Sequence, residues 1–172
     1  MTEFIFFVTV ISHSQVTKDR GLAMQNNPIR LGLMAPLSGL VELYGQEISL
    51  AGKIACKEVN QLGGVLGREL ELVIIDDGSQ PETAVPAALK LVKEEKCSAI
   101  IGNLLSNSRI AVNLEVADPY CIPYLNFSFY EGSIFGRYFF HFAALPNQQI
   151  DKMIPYMAAN HGPKFFFAGS NY

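Results

Sequence analysis

From Pro28 onward, short apolar runs alternate with stretches whose apolar residues recur at helical spacing. Ile29 to Ala35 reads as a strand that ends at Pro36, and Leu70 to Ile75 as a second that ends in the turn Asp76-Asp77-Gly78. Between them, Gln46 to Leu62 places Ile48, Ala51, Ala55, Val59 and Leu62 on one helical face. Gly63-Gly64 then closes that helix, since glycine reaches the left-handed conformation of a helix end without steric cost. Val85, Ala88, Leu89 and Val92 follow the i, i+3, i+4, i+7 rule of a second helix, with Lys90, Lys93, Glu94 and Glu95 turned to water. Ser98 to Gly102 reads as a third strand, Arg109 to Ala117 as a helix closed by Pro119, Ile122 to Phe127 as a fourth strand and Tyr138 to Ala143 as a fifth. Ile150, Met153, Ile154, Met157 and Ala158 mark a fourth helix, and Lys164 to Ala168 the start of a last strand.

Strand then helix, repeated, implies parallel pairing through right-handed crossovers. The expected fold class is therefore α/β, a doubly wound parallel sheet in which Ile29 to Phe127 supplies four parallel strands with helices on both faces. The run Phe165-Phe166-Phe167 is apolar enough to need a sheet around it, because an exposed strand of that kind invites association. Its place so near Tyr172 reads as a second unit that is truncated, or completed by another chain.

Composition narrows the classes of function. The 172 residues are 49% hydrophobic and 17% charged, which is ample for a packed core and unlike a disordered chain. A net charge of -3, with 13 basic residues scattered along the chain, leaves no basic stripe for nucleic acid and no polybasic membrane patch. Cys56, Cys97 and Cys121 have no metal-ligand spacing, and His13, His141 and His161 lie near no cysteine cluster, so the thiols read as small buried residues and no metal or cofactor is implied. At the amino end, Phe4 to Ile11 is an apolar run followed by Ser12-His13-Ser14, a small-x-small cleavage pattern. Glu3 stands where a secretory signal carries Lys or Arg, and the run is shorter than the roughly 20 residues a bilayer requires. A degenerate signal and an uncleaved tail are both consistent with it, and Gln15 to Asn27 reads as a polar linker.

In an open parallel sheet, ligands gather outside the carboxyl ends of the strands. The loop Pro36 to Tyr44 lacks any phosphate-cradling glycine pattern. Asp76-Asp77-Gly78 reads as a solvated turn that starts the next helix, in preference to a metal or ribose contact. Asn103 to Ser108 opens a helix with Ser106, Asn107 and Ser108, whose hydroxyls and free amides suit a carboxylate, an amide or a urea oxygen. On pattern alone, plain N-capping by Ser106 is the stronger reading of that loop. Asn126 to Gly132 offers Asn126, Ser128, Tyr130 and Glu131, an aromatic-rich polar loop suited to a small solute or to packing between lobes. No GxSxG elbow, HExxH helix or cysteine–histidine pair is present, so an α/β enzyme is disfavoured.

Several of these stretches together resemble one family. "IRLGLMAPLSG", "YGQEISLAGKIACKEVNQLGGVLGRELELVIIDD", "IIGNLLSNSRIAV", "YEG", "PNQQ" and "FFFAGSNY" are similar to the type I periplasmic binding proteins of the branched-chain amino acid, amide and urea group. The pairing of YEG and PNQQ with Asn60 to Arg68 is most similar to the urea and short-chain amide binders. The resemblance implies two Rossmann-like lobes with a solute between them: residues 1–27 a signal-like segment and linker, 28–145 the first lobe, 146–172 the start of a second, truncated lobe. It implies a solute-binding component of an ABC-type uptake system, periplasmic or extracytoplasmic, for an amino acid, a short-chain amide or urea, touching the membrane only through its permease. The alternative is a ligand-sensing domain with a signalling partner, cytoplasmic if residues 1–14 are no signal. It further implies that Ser106 meets the ligand's polar head, that Ser128 contributes with Asn126 and Tyr130 nearby, and that Tyr44 and Tyr172 supply aromatic walls. Leu104, where the amide binders have an aromatic or bulky polar residue, and Asn126-Phe127-Ser128, where they carry Tyr-Pro-Thr or Tyr-Pro-Val, depart from that pattern within the expected wall. A chain with only one complete lobe is expected to hold its solute weakly, because closure supplies the remaining contacts and excludes water.

Overall fold

The computed structural model describes residues 27–132 and 134–169. Five strands, β1 (Ile29–Ala35), β2 (Leu70–Asp76), β3 (Ala99–Ile101), β4 (Tyr124–Asn126) and β5 (Phe139–His141), form one sheet in the order β2-β1-β3-β4-β5, and every adjacent pair is parallel. The connections are helical up to β4: α1 (Gly45–Gln61) before β2, α2 (Pro81–Lys93) before β3, and α3 (Ser106–Val112) before β4. Helix α3 runs on through a π-helical turn, Asn113–Ala117, into α4 (Asp118–Tyr120). Two further helices, α5 (Pro146–Ile150) and α6 (Met153–His161), follow the sheet. The expected doubly wound parallel α/β sheet is therefore what the chain forms.

Successive side chains of a strand point to opposite faces, and β1 shows what lies on each. A Cβ added to Gly32 would fall 2.7 Å from the Leu91 side chain of α2, whereas Leu33 reaches Gly52 of α1 on the other face. Met34, Ala84, Ala88, Leu91, Ile100, Val112, Val116 and Tyr124 enclose the main core on the α2 and α3 face. The α1 face is built from small residues instead. At Gly52 an added Cβ would stand 2.6 Å from Leu33, and at Gly45 it would stand 2.3 Å from the Pro36 carbonyl oxygen. Ser49 is buried beside them, its hydroxyl donating to the Gly45 carbonyl at 2.8 Å.

Several expectations are corrected here. Ala51, Ala55 and Leu62 do not face the sheet but are exposed, as are Leu50 and Ile54, because close packing selects the glycine and serine stripe of α1. In α2 the buried stripe is Ala84, Ala87, Ala88 and Leu91, while Val85, Leu89 and Val92 pack at its margin. The third helix begins three residues before Arg109 and passes through Pro119. Proline has no N–H and its ring presses on the preceding turn, and the backbone just before it is wound as the wider π form. The expected fourth helix is broken between Ile150 and Met153. Pro155 tolerates only the first turn of a helix, so α6 starts close before it. Lys164 to Ala168 forms no strand among the described residues, for no neighbouring strand offers it a ladder, and Phe166 and Phe167 are exposed. Of the three thiols only Cys97 is buried; Cys56 is half-buried and Cys121 exposed, so the expectation of small buried thiols holds for one of them.

Candidate ligand-binding cleft

The loops leaving the carboxyl ends of β1, β3 and β4 converge on a cleft of about 830 Å³. Its walls include Tyr44 from the first loop, Leu104, Leu105 and Ser106 at the start of α3, Ser128 to Glu131 after β4, and Pro146, Gln149 and Ile150 of α5.

A polar frame, half-buried at Asp76 and buried at Asp77 and Asn103, fixes the loops. The Asp76 carboxylate accepts the backbone N–H groups of Leu37 (2.8 Å), Ser38 (3.1 Å) and Gly78 (3.0 Å), and the Ser38 hydroxyl (2.5 Å). Burial alone would push its pKa up, but the Ser38 hydroxyl and those three backbone donors outweigh burial and hold it below the usual carboxylate value. Asp77 is almost fully buried. It accepts the Ser79 N–H at 2.9 Å and the Asn103 amide at 2.6 Å. Asn103 in turn accepts the Tyr124 hydroxyl at 2.6 Å and donates its backbone N–H back to that oxygen at 2.9 Å. Burial pushes the Tyr124 phenol far up, so it stays neutral and serves as a hydrogen-bond donor. The paired aspartates thus brace the first, second and third loops, and the solvated turn their sequence suggests is corrected at Asp77, which is buried, while Asp76 stays half-buried.

Ser106 is the first residue of α3 and not its cap, a position held by Leu105. Its hydroxyl donates to Glu131 at 3.1 Å and accepts from the Arg109 guanidinium at 3.0 Å, so plain N-capping does not describe it. Arg109, one helical turn on, is fully buried and meets the same Glu131 oxygen at 2.5 Å, with a second bond to the Phe129 carbonyl at 3.3 Å. Ser128 shares the cleft, and its hydroxyl donates to the Leu104 carbonyl at 3.0 Å, which ties the third loop to the fourth.

The remaining expected residues fall into three groups. Tyr44 lines the rim, half exposed. Tyr130 also lines the cleft, but its hydroxyl is bonded to Ile134 in both directions, donating to the carbonyl at 2.5 Å and accepting the N–H at 2.7 Å. What it presents is its ring, seated 4.5 Å from that of His141. Asn126 does not reach the wall. Fully buried, it clasps the Ser128 backbone with bonds of 3.0 and 3.1 Å and contacts His141 at 2.8 Å, so it positions Ser128 from behind. Tyr172 lies outside the described residues. Sequence reasoning passed over Arg109 and the role of Glu131. The available signal was an arginine three residues after Ser106 on one helix face, with Glu131 the single acid in the fourth loop.

A family model described as periplasmic binding protein matches residues 28–172. The chain belongs to that family. Among curated family relatives, a Leu/Ile/Val-binding protein of Rhizobium johnstonii is 34% identical over 90 residues, covering 52% of this chain and 24% of its own length. A leucine-, isoleucine-, valine-, threonine- and alanine-binding protein of Pseudomonas aeruginosa is also 34% identical, over 50% of this chain and 23% of its own length. The solved branched-chain amino acid transporter substrate binding protein of Streptococcus pneumoniae, in complex with isoleucine, superposes with a TM-score of 0.68 at 23% identity. That match covers 78% of this chain and 39% of the other. The chain spans about a quarter of the length of these curated family members.

Proposed function

We propose that this chain forms one wall of the solute site in the binding component of an ABC-type uptake system, where a small polar solute is held between two lobes. The observation that carries this reading is the meeting of Ser106 and Ser128, from separate loops, on one cleft at the carboxyl ends of a parallel sheet. On this reading residues 28–145 are the first lobe, residue 146 onward enters the second, and α5 contributes Gln149 and Ile150 to the cleft. The binding protein acts outside the cytoplasm, and residues 1–27 hold the export signal and linker. A permease recognises the closed state, which the solute stabilises by bridging both lobes.

The names of the relatives favour amino acids and favour uptake over ligand sensing. The YEG and PNQQ stretches favour a short-chain amide or urea. Calorimetric or NMR titration with leucine, isovaleramide, acetamide and urea separates these. Removing both cleft hydroxyls, as Ser106→Ala with Ser128→Ala, is expected to cost about 0.5–1.5 kcal/mol for each lost bond, a weakening of roughly five- to 150-fold together. An unchanged affinity in that double variant would contradict the assignment.

A further inference from the structure

The polar groups of the cleft have unequal freedom to donate and accept. A serine hydroxyl carries one proton and two acceptor lone pairs. Ser128 must spend its proton on the Leu104 carbonyl, which can only accept. Ser106 must spend its own on the Glu131 carboxylate, which likewise only accepts, while the guanidinium of Arg109, a pure donor, takes one lone pair of Ser106. The Tyr130 hydroxyl is occupied in both directions by Ile134. What these side chains have left to offer a solute is acceptor capacity: one lone pair on Ser106, the unused lone pairs of Ser128, and the Glu131 carboxylate, whose side chain is 46% exposed on the cleft wall. Arg109 balances that charge from behind. It is fully buried and does not line the cleft, so a solute meets the carboxylate and not the guanidinium.

We infer that Glu131, anchored by Arg109, is the specificity-determining residue of the serine end of this cleft: it takes the one proton Ser106 could donate and so admits a head group bearing N–H donors while rejecting a carboxylate. The inference rests on the cleft being the solute site. A carboxamide places its N–H groups against the Ser106 and Ser128 oxygens. A carboxylate of the same shape finds the protons of both serines already engaged and meets the Glu131 carboxylate, and a site whose polar groups are left without complementary partners discriminates strongly.

The test is an isosteric pair, isovaleramide against isovalerate, titrated by NMR into the isotope-labelled chain and into its Glu131→Gln and Ser106→Ala variants. The parent chain is expected to prefer the amide by about tenfold or more. In Glu131→Gln the preference falls to within about threefold, because a neutral amide removes the like charge and leaves the Arg109 guanidinium without its counter-charge. Ser106→Ala keeps the Arg109–Glu131 ion pair and so serves if Glu131→Gln fails to fold; it weakens the amide but retains the rejection of the acid. The inference is overturned if the parent binds isovalerate as well as isovaleramide. A preference unmoved in a folded Glu131→Gln chain, or lost in Ser106→Ala while the ion pair stands, overturns it too. In each of those results the cleft still binds and the proposed function survives. If neither compound, nor leucine, nor urea perturbs the cleft, the proposed function fails and takes the inference with it.

Discussion

Strand β1 has two unlike neighbours. On one side Gly32 and Met34 face α2 and a closed core of fully buried Leu91, Ile100, Val112 and Tyr124; on the other, Leu33 meets α1 across a layer only a glycine thick. The first face is held by interdigitated bulk and the second by close approach of backbones. Their sensitivities to substitution should differ accordingly. Bulk is lost when a side chain is shortened, whereas close approach is lost when one is lengthened.

The largest effect should come from the bulky face. Leu91→Ala empties a fully enclosed site and is expected to cost about 2–5 kcal/mol in urea unfolding. The same truncation at Leu50, exposed on the outer side of α1, should stay within about 0.5 kcal/mol. Equal losses at the two would erase the distinction between the faces. On the α1 side the sensitive change is an added methyl. Gly45→Ala drives a Cβ to 2.3 Å from the rigid Pro36 carbonyl and should cost about 1–3 kcal/mol, despite alanine's better helix propensity. At Gly52 the obstructing atoms are the ends of the Leu33 and Leu72 side chains, which can turn aside, so Gly52→Ala should cost less than Gly45→Ala.

Beneath the loops, Tyr124→Phe leaves the buried Asn103 without its hydroxyl partner, for an expected loss of about 1–3 kcal/mol. Smallest is a pH effect at the first loop. The folded pKa of Asp76 is depressed, so its contribution is present above the unfolded carboxylate pKa of about 4 and is lost as pH falls through the folded value. Unfolding curves of the parent and Asp76→Asn should therefore differ near neutral pH and converge as the pH drops below about 4. A gap that stays constant down to acid would show that the carboxylate is not what pins Ser38.

The same two faces show how far the sequence could be read. Strand β1 was legible to its last residue, Ala35, and the parallel sheet followed from the alternation of periods. Helix faces were not. Apolar periodicity favours large residues, and in α1 the sheet is met by Gly45, Ser49 and Gly52, which carry almost no hydrophobic signal. At the cleft, the loops that carry Ser106 and Ser128 could be located because each follows a strand of an open parallel sheet, whereas Tyr44 was singled out by the family resemblance. Asn126 could not be separated from the wall, since whether a side chain beside a strand end points outward or back is decided by its bonds to Ser128 and His141. The Arg109–Glu131 pair spans 22 residues of sequence, and only the folded chain brings its members together.

The central claim, that the loops after β1, β3 and β4 form a solute site, is tested most directly by mapping amide chemical shifts of the isotope-labelled chain during titration with isovaleramide, leucine and urea. At least one solute should produce saturable shifts concentrated at Tyr44, Leu105, Ser106, Ser128 and Glu131, with none at the groove formed by Lys53, Cys56, Asn60 and Glu69 beside α1. Shifts centred on that groove, or a folded chain whose cleft amides respond to none of the three, would contradict the account.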